Sequence, residues 1–161
     1  MNDALEIFGT AAGEVAVAIT PEMLDRLEAE LLAFPQIEVP IKHTFCNGLY
    51  IREGVLPAGG LILGHSHKEQ HHCVVLSGKL LIFNFDRTVT EINGPASFIG
   101  EPGRKLGLSV TEVVMQNIHP TANWPADCFG DVVTMEEHLY AITTPARAAR
   151  MNAACKKEIC A

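Results

Sequence analysis

Long apolar runs are missing from this 161-residue chain. Nothing approaches the roughly 18 consecutive apolar residues of a membrane-spanning helix. Val15-Ala16-Val17-Ala18-Ile19 is too short for the apolar region of a secretory signal, and the start, Met1-Asn2-Asp3-Ala4, is acidic rather than basic. Positive charge is scarce: 12 Lys and Arg stand against 19 Asp and Glu, a net charge of −7 with no basic run. Aromatic residues make up 6%. Those two shortages exclude a nucleic-acid binder, which needs a basic patch or a set of stacking rings. CxxC pairs are absent, and the five cysteines are an odd number. That count and spacing predict free thiols in a reducing compartment. There is no Gly-rich phosphate loop and no nucleophile elbow.

What is present is a folded, globular composition, 48% hydrophobic and 19% charged, of a size that fits one domain. Histidine is concentrated. Four of the seven, His65, His67, His71 and His72, fall within eight residues. They sit between the apolar runs Gly60-Leu61-Ile62-Leu63 and Cys73-Val74-Val75-Leu76. Residues two apart on a strand share a face, so His65 and His67 point the same way. A turn through Lys68-Glu69-Gln70 returns His71 beside them. Neutral imidazoles converging in this way suit a borderline divalent metal. The spacing fits equally a polar hairpin tip whose histidines are solvated. Cys73, inside an apolar run, reads as packing.

The chain divides into an N-terminal arm and helix (1–36), a β region (37–120) and a C-terminal extension (121–161), with no internal repeat. Thr20 is an N-cap and Pro21 suits the first helical position. Met23, Leu24, Leu27, Leu31 and Phe34 then form a stripe at helical spacing that Pro35 ends, predicting a helix over 20–34. The stripe is core or subunit contact. From residue 37 the pattern changes to short strands, at 37–39, 44–45, 49–53, 61–63, 73–76, 79–85, 89–92, 96–99, 105–110 and 113–118. Many short strands with turns between them mean a closed antiparallel barrel or sandwich. A short helix is expected near 133–140, and an Ala-rich tail begins at Ala146.

The residues resemble the cupin superfamily. Gly60, His65-x-His67, His71 and Gly78 follow the spacing of the first cupin motif, with His71 where that family usually has Glu. Pro102-Gly103 looks like the second motif, with Leu106 in the place of its histidine. A narrower likeness is to short cupin-like proteins of tailed phages. It rests on Tyr50-x-Arg52-Glu53, Pro57-Ala58-Gly59, Gly64-x-x-His67-Lys68, His71, Leu76-Ser77, Pro102-Gly103-x-Lys105 and Ile118-His119. It covers residues 48–119.

The resemblance implies an all-β, cupin-type double-stranded β-helix, a jelly-roll barrel with any metal near its open end. His65, His67, His71 and His119 are then the candidate ligands for a divalent transition metal, Zn, Fe, Ni or Cu, since an all-imidazole set suits these better than Mg or Ca. Catalytic residues stay open. His72 or His119 is a candidate general base, and Arg52, Arg104 and Lys105 are candidate anchors for a carboxylate or phosphate. For Arg104 and Lys105 ordinary surface charge is the competing reading, and Glu69 reads as a solvated tip.

Two functions follow. One is a phage-type module that builds or decorates a particle, a homo-oligomer with other virion proteins as partners. The other is a metal-dependent oxygenase or isomerase with a small polar substrate. Cytoplasm of the host cell or virion is the expected location, with no membrane and no nucleic acid as partner.

Overall fold

The computed structural model describes residues 19–129 and 131–141. The expected N-terminal arm and Ala-rich tail lie outside them. Helix α1 spans Pro21–Leu31. Thr20 is extended, and its hydroxyl oxygen accepts from the Met23 amide at 3.2 Å, which satisfies one of the helix's first free N–H groups. The helix stops short of Phe34. The residue before a proline is pushed out of the α region, and the Gln36 side chain donates to the Leu31 and Phe34 carbonyls at 2.7 and 2.8 Å. Phe34 is left 63% exposed. The expected strand at 37–39 does not form. The chain there is irregular, and the first strand opens only after Pro40.

The strands are β1 (Ile41–Cys46), β2 (Leu49–Leu56), β3 (Gly60–Leu63), β4 (Ser66–His67), β5 (His71–Ser77), β6 (Lys79–Phe83), β7 (Val89–Asn93), β8 (Ala96–Gly100), β9 (Leu106–Ser109) and β10 (Val113–Pro120). A short 3-10 turn, Ala126–Cys128, leads to α2 (Val132–Leu139) and the two-residue β11 (Tyr140–Ala141). One sheet runs β1-β2-β10-β5-β8 and the other β3-β9-β6-β7, with every pair antiparallel. After β2 the chain passes repeatedly between the sheets: β5, β8 and β10 join the first, and β3, the β6–β7 hairpin and β9 the second. That is the all-β, cupin-type double-stranded β-helix.

Strand alternation then sorts the side chains. Leu61, Leu63, Leu81, Phe83, Val89, Leu106 and Leu108 share the outer face of the four-stranded sheet, where Ile19, Leu24 and Leu27 cover them. Leu24 and Leu27 of the helical stripe are therefore used as core. On the inner side Leu80, Ile82, Ile62 and Ile92 meet Leu56, Val75, Val113 and Met115 of the other sheet. Tyr50 packs beneath α2 with Met135, Leu139 and Tyr140 at the opposite end. Gly78, with φ +89°, makes the turn between β5 and β6 so tightly that a Cβ would overlap the Glu112 carbonyl.

The inner face of the five-stranded sheet reads as successive rungs. Tyr50 pairs with His119 and His71 with Gly100 on the first. Arg52, Asn117, Cys73 and Phe98 form the second, and Gly54, Met115, Val75 and Ala96 the third. Leu56 and Val113 make the fourth.

Candidate metal centre

His67 closes β4, His71 opens β5 and His119 lies near the end of β10. The exposed Lys68-Glu69-Gln70 turn folds His71 back against His67 as its spacing predicts. The imidazoles stack: centroids are 3.9 Å apart for His67 and His71, 4.7 Å for His71 and His119, and 5.4 Å for His67 and His119. One nitrogen from each lies within 4.8 Å of the others, so the three could hold a metal.

The backbone of β4 is fastened on both sides. On one, His67 pairs with Tyr140 and Ser66 with Ala141, and the Lys68 amide donates to the Leu139 carbonyl at 2.9 Å. On the other, the His67 amide donates to the Gly103 carbonyl at 3.1 Å, and the Gly103 amide to the His67 carbonyl at 2.9 Å. Gly103 adopts φ +99°, a conformation that suits glycine. The Pro102-Gly103 turn thus contributes backbone support. Leu106, in the place of the second-motif histidine, is buried under α1 and faces away from the site.

Burial pushes the His67 and His119 imidazoles down to about 3, with further repulsion from neighbouring imidazoles and the Arg52 guanidinium. His71 is lowered too, chiefly by burial. All three are neutral near pH 7, the state that ligates. The His71 Nδ1 approaches the Glu69 carbonyl at 3.3 Å. A carbonyl only accepts, so Nδ1 carries the proton and Nε2 keeps its lone pair. The Nδ1 of His67 and the Nε2 of His119 are buried without a hydrogen-bond partner. Such orphaned nitrogens are what a metal site would use, and the donor set therefore fits a borderline divalent ion.

His65 is not in the group of three. It stacks on Tyr140 with centroids 4.3 Å apart, and its Nδ1 is likewise buried without a partner. Residues 64 and 65 form a link between β3 and β4, so strict strand alternation does not carry from His65 to His67. His72 is exposed, its strand parity opposite to that of His71, which corrects its candidacy as general base. The Glu69 side chain is exposed, as a solvated tip should be.

An open cavity of about 1270 Å³ extends from the histidines to helix α1 and the segment after it, with His65, His67, His71, Arg52 and Tyr140 in its wall. Arg52 lines this cavity; its Nε is buried and makes no hydrogen bond. Lys105 is exposed, its ammonium 5.9 Å from the Phe85 ring centroid. Arg104 overturns the surface-charge reading. It is 6% exposed and bonds Glu28 at 3.1 Å, Asp25 at 3.2 Å and the Gly64 carbonyl at 3.2 Å. It fastens α1 to the backbone just before His65. Burial raises the Cys73 thiol to about 11, and its sulfur donates to Asn117 Oδ1 at 3.3 Å. A protonated, bonded thiol supports the packing reading and argues against a nucleophile.

Sequence reasoning missed Tyr140 and Gly100. Burial holds the Tyr140 phenol up at about 12, so it remains a hydroxyl beside His65 and His67. Gly100 faces His71 across the β5–β8 pair. The only trace of Tyr140 in sequence was an aromatic residue ending an expected short helix.

No family profile matches the chain, and no curated protein does. Among solved structures, it is similar to a cupin-2 domain protein from Shewanella frigidimarina NCIMB 400 (11% identity, 58% of this chain and 91% of that one, TM-score 0.41). A cupin domain from Bordetella pertussis Tohama I overlaps at 19% identity (55% and 99%, TM-score 0.43). An RmlC-like cupin family protein with a double-stranded β-helix fold from Methanocaldococcus jannaschii overlaps at 11% identity (52% and 81%, TM-score 0.44). The overlaps are partial, and the fold assignment rests on the chain's own strand order. Among the described residues no helix is long and apolar enough to cross a membrane.

Proposed function

We propose that the chain holds one divalent transition metal on His67, His71 and His119 and acts on a small ligand bound beside it in the barrel. The observation that carries this reading is the pair of buried, unpartnered nitrogens on His67 and His119 within a neutral three-histidine cluster. Leaving such a group unsatisfied costs about 1–3 kcal/mol each, which a ligated metal would offset. Zinc, iron, nickel and copper all accept imidazole, and three protein ligands leave positions open for water or substrate. A metal bound there would supply Lewis-acid or redox chemistry. The chain's own residues do the rest. The Glu69 carbonyl fixes the His71 tautomer, Arg52 offers a positive charge inside the cavity, and Tyr140 shields the cluster.

Metal content and cobalt(II) titration of the purified chain test the reading. Near-stoichiometric binding is expected, with affinity falling at least tenfold in His67→Ala and His119→Ala but not in His65→Ala. Metal content that survives His67→Ala would overturn the ligand set. Oxygenase or isomerase turnover lost on the same substitutions would make the chain an enzyme.

An assembly role, as a homo-oligomeric module that builds or decorates a phage particle, draws on a separate observation. Leu49, Leu76 and Ile99 stand 40%, 42% and 53% exposed on the outer face of the five-stranded sheet. Fixed copy number in intact particles, without turnover, would favour that role over the metal-dependent one.

A further inference from the structure

The cavity beyond the histidines has its own chemistry. Two residues along each strand, about 7 Å, separate the first rung from the second, where Arg52 pairs with Asn117 and Asn117 with Cys73. Among the described residues Arg52 has no ion-pair partner, and its buried Nε makes no hydrogen bond. A guanidinium held inside a barrel in this way is short of an anion. Lys105 also lines the cavity but is exposed, its ammonium 5.9 Å from the Phe85 ring centroid, so Arg52 is the more enclosed of the two cations.

Below Arg52 the wall becomes apolar. Met115, Phe98, Leu80 and Ile82 line the cavity, which continues to the irregular segment bearing Phe34 and Ile37, both 63% exposed.

We infer that the barrel binds an aliphatic monocarboxylate, with its carboxylate on the Arg52 guanidinium beside Asn117 and its hydrocarbon chain along Met115, Phe98, Leu80 and Ile82. The inference deepens the small-ligand reading of the same cavity and rests on it. The carboxylate lies between the charged rung and the open side of the histidine cluster, and the chain runs away from both. A planar, bidentate fork suits this head group better than an ammonium would.

Calorimetric titration of the chelator-treated protein with butanoate, hexanoate, octanoate and octanol tests it. Affinity should rise about fourfold per added methylene, and octanol should bind at least tenfold more weakly than octanoate. Arg52→Gln should abolish the difference between octanoate and octanol while leaving octanol binding as it was. No gain with chain length, or octanol equal to octanoate in the unsubstituted protein, would overturn the proposal even if the variant fails to fold. Octanoate binding that requires added cobalt(II) and ignores Arg52→Gln would also overturn it, leaving the metal reading intact. Chain-length-dependent, Arg52-dependent binding by a protein that takes up no cobalt(II) would support it and sink the metal reading instead.

Discussion

Gly100 faces His71 across the β5–β8 pair, and a Cβ there would lie 2.5 Å from His71 Nε2 and 2.9 Å from the Cys73 sulfur. The ring can keep its place only because that position has no side chain. Gly100→Ala should turn the imidazole and weaken cobalt(II) binding about 10–100-fold, with a stability loss of about 1–3 kcal/mol from overpacking. Unchanged affinity would show that His71 is not held there. His67 and His71 were legible, because their spacing around an exposed turn encodes their convergence. Gly100 was not: a lone glycine 29 residues from the ring it accommodates leaves no local pattern. His65 shares the cavity wall with His67 but stacks on Tyr140 outside the group of three, in a link where strand alternation does not apply.

Helix α1 was readable from its cap, Pro21 and apolar stripe, but its anchor was not. The sequence shows Arg104 as a charge beside a turn, and its partners Glu28 and Asp25 are 76 and 79 residues away. Arg104→Ala would take the guanidinium from Glu28, itself 5% exposed. Breaking a buried pair in this way costs about 3–5 kcal/mol. Asp25, whose side chain is 39% exposed, should contribute less than about 1 kcal/mol through the same contact. Urea unfolding of Arg104→Ala and Asp25→Asn should therefore give very different losses. Similar losses would mean the helix is held by Leu24 and Leu27 alone. The jelly-roll order was implied by strand count and the first-motif spacing, whereas the start at Ile41 rather than 37 depended on pairing with β2 that no local propensity reveals.

For the whole molecule, three neutral buried histidines couple stability to pH. The unfolded chain protonates them near 6.5, whereas His67 and His119 in the fold resist protonation down to about 3. Their folded values are depressed, so the unfolded state binds more protons in that window, and stability falls as pH drops. Metal-free protein should hold its urea midpoint from pH 8 to 7 and lose it below about 6.5, by about 1.4 kcal/mol per pH unit for each of the two imidazoles. His67→Gln should flatten the slope, and a slope unaltered by that change would place the acid sensitivity elsewhere. The ligand set also has a history in time. His67 and His71 are near neighbours in the chain, but His119 arrives only with β10, the strand that inserts between β2 and β5. Until that insertion the site does not exist, so an ion can recognise only a barrel that has already closed. Saturating metal, at about 100 times its dissociation constant, would add about 2.7 kcal/mol to stability. If β10 inserts after the transition state, loading should leave the refolding rate unchanged and slow unfolding about 100-fold, making the ion a latch on finished molecules; faster refolding with metal would place that insertion earlier.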